Sequence, residues 1–221
     1  MLEEEGYPFK SKFHARFVSW YQQGKGDLRS VTEYAKRTTG WHSRMCPYIL
    51  QYQFENGWND IKISDKCCYK LKKEPLKRFS EETNRNIAII GIMPDEGGQR
   101  ESAVCLAFKG KDLKAFQPLV PVTKDWEDWF IEAHGIEICE IYKPPYNFPR
   151  TGCKGCPFII GLQKELDTLE RFFPEERRQC EIIWKPVYEE YRRLGYRLKK
   201  KEEYHQLRFD EIFDFEKGVY L

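Results

Sequence analysis

Two pairs of cysteines are the residues best able to do chemistry: Cys67 and Cys68, side by side in DKCCYKLKK, and Cys153 and Cys156 in TGCKGCPF. A CxxC turn lets two thiolates reach one metal centre, and Gly152 and Gly155 would relieve the backbone crowding that such a turn creates. Pro157 can open a helix directly after Cys156, and the positive end of its dipole would favour the thiolate form of both sulfurs. Alone, this pair fits zinc, an iron–sulfur cluster or a redox dithiol. Sequential cysteines are awkward ligands for a tetrahedral zinc cage, whereas a cubane cluster offers separate iron corners. The adjacent pair therefore favours a 4Fe-4S cluster over zinc, with metal-free thiols as the plain alternative. Lys66, Lys70, Lys72 and Lys73 surround it and would offset the charge of a thiolate-bound cluster.

The remaining cysteines, Cys46, Cys105, Cys139 and Cys180, stand singly among apolar or aromatic neighbours and are expected as buried small hydrophobes. His42 and Cys46 lie four apart and could share a helical face, but two ligands make no metal site. The basic run Arg197 to Lys201 reads as a solvated face rather than a nucleic-acid patch, because no aromatic platform is periodic with it.

The elements that must position these residues follow from the rest of the 221-residue chain, long enough for one core with an appendage. Basic and acidic side chains number 37 and 35, so any anion site must be a local cluster. The sequence has no signal-peptide pattern and no apolar run of membrane-spanning length, which points to the cytoplasm. In that reducing compartment eight cysteines are not a disulfide framework. The spacing of Phe13, Phe17 and Trp20 predicts a helix after Ser11, with further helices around Thr32 to Ala35, from Pro47 to Phe54 and from Pro75. DIKIS (residues 60–64) is extended. IAIIGIM (87–93) is a strand covered on both faces, followed by a turn at PDEGGQRES, the strand-to-helix edge where α/β folds place ligands. Thr123 caps a helix that stops at Gly135, and a long helix runs from Pro157 to Pro174. The expected fold is α/β, a partial parallel sheet flanked by helices over residues 1–173, with a helical C-terminal extension over 174–221.

Together, CC-x3-K-x2-PL (Cys67, Cys68, Lys72, Pro75, Leu76), the R-E-S turn (Arg100, Glu101, Ser102), P-L before a tryptophan-rich helix (Pro118, Leu119, Trp126) and R-T-G-C-x2-C-P-F (Arg150 to Phe158) resemble the phosphoadenosine and adenosine phosphosulfate reductase family. The resemblance runs over roughly residues 5–173, with 85 positions from Cys68 to Cys153. It implies an adenine-nucleotide-hydrolase-like sheet. Its cluster-bearing branch implies Cys67, Cys68, Cys153 and Cys156 as ligands of a 4Fe-4S cluster, Lys72 between cluster and substrate anion, and Arg100 on the sulfate or phosphate end of a nucleotide.

Three features depart from the family pattern. Met93 stands where family turns usually carry another arginine. No S-G-G-x-D-S nucleotide loop occurs; KGKDL (109–113) lacks its serines, its paired glycines and a preceding strand. The terminal EIFDFEKGVYL carries no nucleophilic cysteine. The resemblance thus implies sulfonucleotide reduction or ATP-dependent sulfur transfer, with an adenine nucleotide or sulfonucleotide bound only if the missing loop is supplied, and with turnover not expected of this chain alone. The competing expectations are a non-catalytic or truncated subunit that pairs with a partner or with itself through an unfinished sheet edge, and a zinc-stabilised nucleic-acid adaptor.

Overall fold

The Ser11 hydroxyl accepts the His14 N–H at 3.2 Å and starts α2 (Lys12–Gln22), which follows the single turn α1 (Leu2–Glu5). This computed structural model describes residues 1–38, 45–55, 57–97, 100–148 and 151–200, and the backbone of 213–214 and 219–220. The stripe that α2 buries is His14, Ala15, Phe17 and Val18, one position round from the expected one. Phe13 is left half-exposed, edge-on to Phe17 and Tyr34. His14 can go inside because Tyr34 Oη at 2.9 Å and Gln53 Oε1 at 2.7 Å satisfy both ring nitrogens. Helix α3 (Arg29–Lys36) and a 3-10 turn (Tyr48–Phe54) supply those two partners. The extended DIKIS segment pairs with the chain start, Tyr7 lying parallel to Ile63. At Gly6, with φ +100°, an added Cβ would stand 2.7 Å from Ser64 Cβ.

The first helices share one core with the end of the described chain. Helices α7 (Leu162–Phe172), α8 (Pro174–Ile183) and α9 (Lys185–Leu194) contribute Leu162, Leu166, Val187, Tyr188 and Tyr191 against Phe9, Val18, Leu50 and Ile63. Gly195, left-handed at φ +64°, stops α9 after Leu194, and the helices α8 and α9 make the C-terminal extension helical as expected. Beyond them β4 (Phe213–Asp214) pairs antiparallel with β5 (Val219–Tyr220). Among the described residues no helix is long and apolar enough to cross a membrane.

Between these parts the chain is built differently. The helix expected from Pro75 already starts at Lys66: α4 (Lys66–Cys68) runs through a π turn (Tyr69–Lys73) into α5 (Glu74–Thr83). Pro75 has no N–H to return to the preceding turn, and the wide π turn just before it takes up the change in register. The expected strand over 87–93 is reduced to β1 (Ala88–Ile89), parallel to β3 (Asp112–Phe116), with β2 (Leu106–Lys109) antiparallel on the far side of β3. The strand is not covered on both faces, since Ile89 is 75% exposed. The KGKDL segment is the turn of the β2–β3 hairpin and does have a strand before it. Thr123 caps α6 (Lys124–Ala133) through the Trp126 N–H, as expected.

Candidate metal centre

Cys67 sits in the first turn of the long bent helix and is buried; Cys68 beside it is half-buried. Cys153 and Cys156 lie in a tight turn closed by the Cys156 N–H on the Cys153 carbonyl at 3.1 Å, and both are half-buried. The two pairs meet. The Cys67 thiol is pushed up to about 12, first by burial and then by the neighbouring Cys68 and Cys156. The Cys156 thiol is pushed up to about 11 by burial, with Cys153 and Cys68 adding to it and the Phe158 N–H opposing. Sulfurs far apart in sequence thus act on one another. Thiols in this relation repel as they ionise, which a shared cation would reverse. Among the described residues no three His, Cys, Asp or Glu side chains converge closely enough to hold a metal ion. The donor set fits a thiolate-ligated group in kind and number, two sulfurs from each side.

Three expectations about this turn need correction. No helix begins at Pro157, because Tyr191 and Arg197 occupy the carbonyl that a helical turn would use; α7 starts at Leu162. The helix dipole therefore does not act on Cys156, whose shift is upward. Gly155 is the required glycine: with φ +58°, a Cβ there would meet Tyr188 Oη at 2.5 Å and Cys180 Sγ at 2.7 Å, whereas the space around Gly152 is open. Of the solitary cysteines, Cys46 and Cys180 are buried as expected, but Cys105 and Cys139 are exposed, since they lie where the chain has no core to enter. His42 lies outside the described residues, as does Arg150.

Three of the loop's carbonyls, those of Lys154, Gly155 and Pro157, accept from side chains of the C-terminal extension. Trp184 Nε1 donates to Lys154 O at 3.2 Å, Tyr188 to Gly155 O at 2.5 Å, Tyr191 to Pro157 O at 2.9 Å and Arg197 to the same oxygen at 2.5 Å. Glu165 accepts the Gly155 N–H at 2.8 Å. Sequence reasoning missed this support, although Trp184, Tyr188 and Tyr191 recur at i, i+4 and i+7 along the extension, a stripe that asks for a covering surface. The π turn directly after Cys68 was also missed; such turns concentrate at functional sites.

The lysines divide. Lys66 pairs with Glu5 at 2.8 Å, and Lys70 with Glu74 at 3.2 Å, so neither charge is available to a cluster as expected. Lys72 and Lys73 are exposed and, among the described residues, have no carboxylate partner. Arg100 follows the turn after β1 and is paired through Nε with Glu96 at 3.1 Å, both half-exposed.

A family model for the phosphoadenosine phosphosulfate reductase domain matches residues 25–158. The match spans more than half of the chain, which therefore belongs to that family. It includes Cys67, Cys68, Cys153, Cys156, Lys72 and Arg100, and ends before the helices that hold the CxxC turn. No curated protein and no solved structure matches the chain.

Proposed function

We propose that this phosphosulfate-reductase-family chain holds a 4Fe-4S cluster through Cys67, Cys68, Cys153 and Cys156 and serves adenine-nucleotide-linked sulfur metabolism, in sulfonucleotide reduction or ATP-dependent sulfur transfer. The observation that carries this reading is the family match, which spans all four cysteines, and it is supported by the nearness of Cys67 and Cys68 to Cys156 that their mutual effect on ionisation reflects. A bound cluster would supply a one-electron couple and a compact negative charge. The chain's own residues bind and orient: the two thiol pairs grip the centre from either side, and Lys72, exposed one helical turn beyond Cys68, presents a cation to an anionic substrate. Arg100, once released from Glu96, offers a guanidinium fork to sulfate or phosphate. The adenine-phosphate loop would be supplied from outside residues 1–221, in which the S-G-G-x-D-S pattern does not occur.

Anaerobic purification with an absorbance scan and iron and sulfide counts tests the reading. Four irons per chain with a broad visible band, lost in Cys67→Ser and in Cys156→Ser, is the expected result. A colourless protein holding stoichiometric zinc would end it.

The row of exposed apolar side chains between residues 69 and 148, with Ile89, Phe108 and Trp129 more than half exposed, favours a second reading: a subunit whose sheet is completed by a partner or a second copy. A concentration-independent monomer that binds adenosine phosphosulfate unaided would argue against it.

A further inference from the structure

The Cys153–Cys156 turn has little of its own to hold it. One backbone bond closes it, from the Cys156 N–H to the Cys153 carbonyl at 3.1 Å. Between the two cysteines the bonds run outward, to α7, α8, α9 and Trp184 at the junction of the last two. Lys154 is held at both ends, its ammonium by Glu176 and its carbonyl by Trp184 Nε1–H at 3.2 Å. Gly155 is held at both backbone groups, its N–H by Glu165 at 2.8 Å and its carbonyl by the Tyr188 hydroxyl at 2.5 Å. Trp184 and Tyr188 are buried, and so is Gly155, so the Tyr188 bond cannot be exchanged for one to water without cost.

Shape adds to bonding. Gly152 and Gly155 each precede a cysteine of the pair, yet only one of them is gripped. A Cβ on Gly155 would stand 2.5 Å from Tyr188 Oη and 2.7 Å from Cys180 Sγ, whereas one on Gly152 would meet nothing within 4 Å. The other pair is held locally, since Cys67 and Cys68 belong to the short helix α4 and its continuation through the π turn. Glu165, Glu176, Cys180, Trp184 and Tyr188 all lie beyond residue 158, where the family match ends.

We infer that the C-terminal helices act as a clasp on the CxxC turn, with Trp184 and Tyr188 as positioning residues that hold Lys154 and Gly155 in the metal-free protein. The turn is thereby shaped before any centre is loaded, instead of being ordered by it. A turn already fixed by its neighbours loses less freedom on taking up a metal, which favours uptake. This role deepens the metal-centre reading and rests on it only for the iron measurement below.

Five variants of the full chain test the clasp: Tyr188→Phe, Trp184→Phe, Gly155→Ala, Gly152→Ala and Val187→Ala. Val187 is a fully buried neighbour of Tyr188 on α9 whose side chain makes no hydrogen bond, so it reports loss of packing alone. In the metal-free protein, NMR gives the rate of amide hydrogen exchange at Cys156 relative to that at Leu166, a core position on α7. Loss of global stability speeds both amides together and leaves the ratio unchanged, whereas loosening of the turn raises it. The ratio should rise about tenfold in Tyr188→Phe and Gly155→Ala and several-fold in Trp184→Phe, and stay within about twofold of wild type in Gly152→Ala and Val187→Ala. In protein loaded anaerobically with iron and sulfide, the rate of iron uptake should fall several-fold in Tyr188→Phe and Gly155→Ala and hold in Gly152→Ala. A ratio raised as much by Val187→Ala as by Tyr188→Phe, or unmoved by both, would overturn the clasp, because the turn would then be no more than a part of the general packing. If the chain takes up no iron but the exchange pattern holds, the metal reading fails and the clasp stands. If iron is taken up and the ratio is unmoved, the clasp fails by itself. Should Gly155→Ala not fold, Tyr188→Phe and Trp184→Phe, each removing one donor and leaving an aromatic ring, still decide against Val187→Ala.

Discussion

The two ends of the chain and its middle are built on different principles. Residues 1–65 and 151–200 pool their apolar side chains into one core, in which Phe9, Val18, Leu50, Leu162, Leu166, Val187 and Tyr188 are fully buried. Among the described residues between 69 and 148 only Met93, Ala115 and Gln117 are buried, while isoleucines, phenylalanines and tryptophans face outward. Composition does not separate the two regions; partners do. In the ends, helices cover one another, whereas in the middle a three-stranded sheet and two helices leave their apolar faces without a second layer. The cysteine pairs stand at the neck where the middle leaves the packed ends and returns to them. A metal held by both pairs would close that neck and shorten the loop that must be ordered.

The sharpest way to break this comparison is to truncate one apolar side chain in each region. Leu166→Ala, in the shared core, should cost about 2–5 kcal/mol, the transfer term plus the cavity left behind. Ile89→Ala, mostly solvated, should fall within about 0.5 kcal/mol of wild type. Urea unfolding of both variants at two protein concentrations measures this. A cost at Ile89 as large as at Leu166, growing with concentration, would mean that a second copy covers the middle in solution.

The same comparison explains what could be read in the sequence. Helices α2, α3, α6 and α7 were legible because their apolar spacing, or a cap such as Ser11 or Thr123, is local information. The thiol pairs were legible as a candidate site because their spacing is itself the signal. Three things were not. The strand over 87–93 looked doubly covered because its residues are apolar, but coverage depends on layers that these residues do not supply. The β2–β3 hairpin was hidden by a register irregularity between Ala107 and Phe108, which breaks the alternation that would have revealed it. The start of α7 was placed at Pro157 on proline chemistry, whereas tertiary bonds from Tyr191 and Arg197, 34 and 40 residues further on, claim that carbonyl.

A smaller effect separates the regions by pH. His14 is wholly buried between Tyr34 and Gln53, and burial, with the charges of Lys10 and Arg197, holds its imidazole down to about 3 from the ordinary 6.5. The folded protein keeps it neutral while the unfolded chain takes up a proton below about 6.5. Its contribution is therefore complete above pH 6.5 and is lost as pH falls toward 3, by about 1.4 kcal/mol per unit at most and about 2 kcal/mol in total by pH 5. Unfolding at pH 7.5, 6 and 5 should show this slope, and His14→Gln should flatten it. Proteolytic cutting within residues 69–148 should stay flat over the same window, because the shifted groups there, Lys70 and Lys124, titrate far above it.

The smallest stability effect is expected at Arg100, where function and stability separate most cleanly. Its pair with Glu96 is i to i+4 and half-solvated on both sides, so Arg100→Ala should change unfolding free energy by no more than about 0.5 kcal/mol. Glu96→Gln should cost equally little, since it breaks the same pair. For an anion the two variants act in opposite directions. Removing Glu96 frees the guanidinium and strips a repelling carboxylate from its neighbourhood, whereas removing Arg100 leaves that carboxylate alone. If the middle region holds the sulfate or phosphate end of a nucleotide at this turn, adenosine phosphosulfate should bind several-fold tighter to Glu96→Gln and several-fold weaker to Arg100→Ala. Two variants that weaken binding alike, or leave it unmoved, would reduce the Arg100–Glu96 pair to an ordinary surface contact.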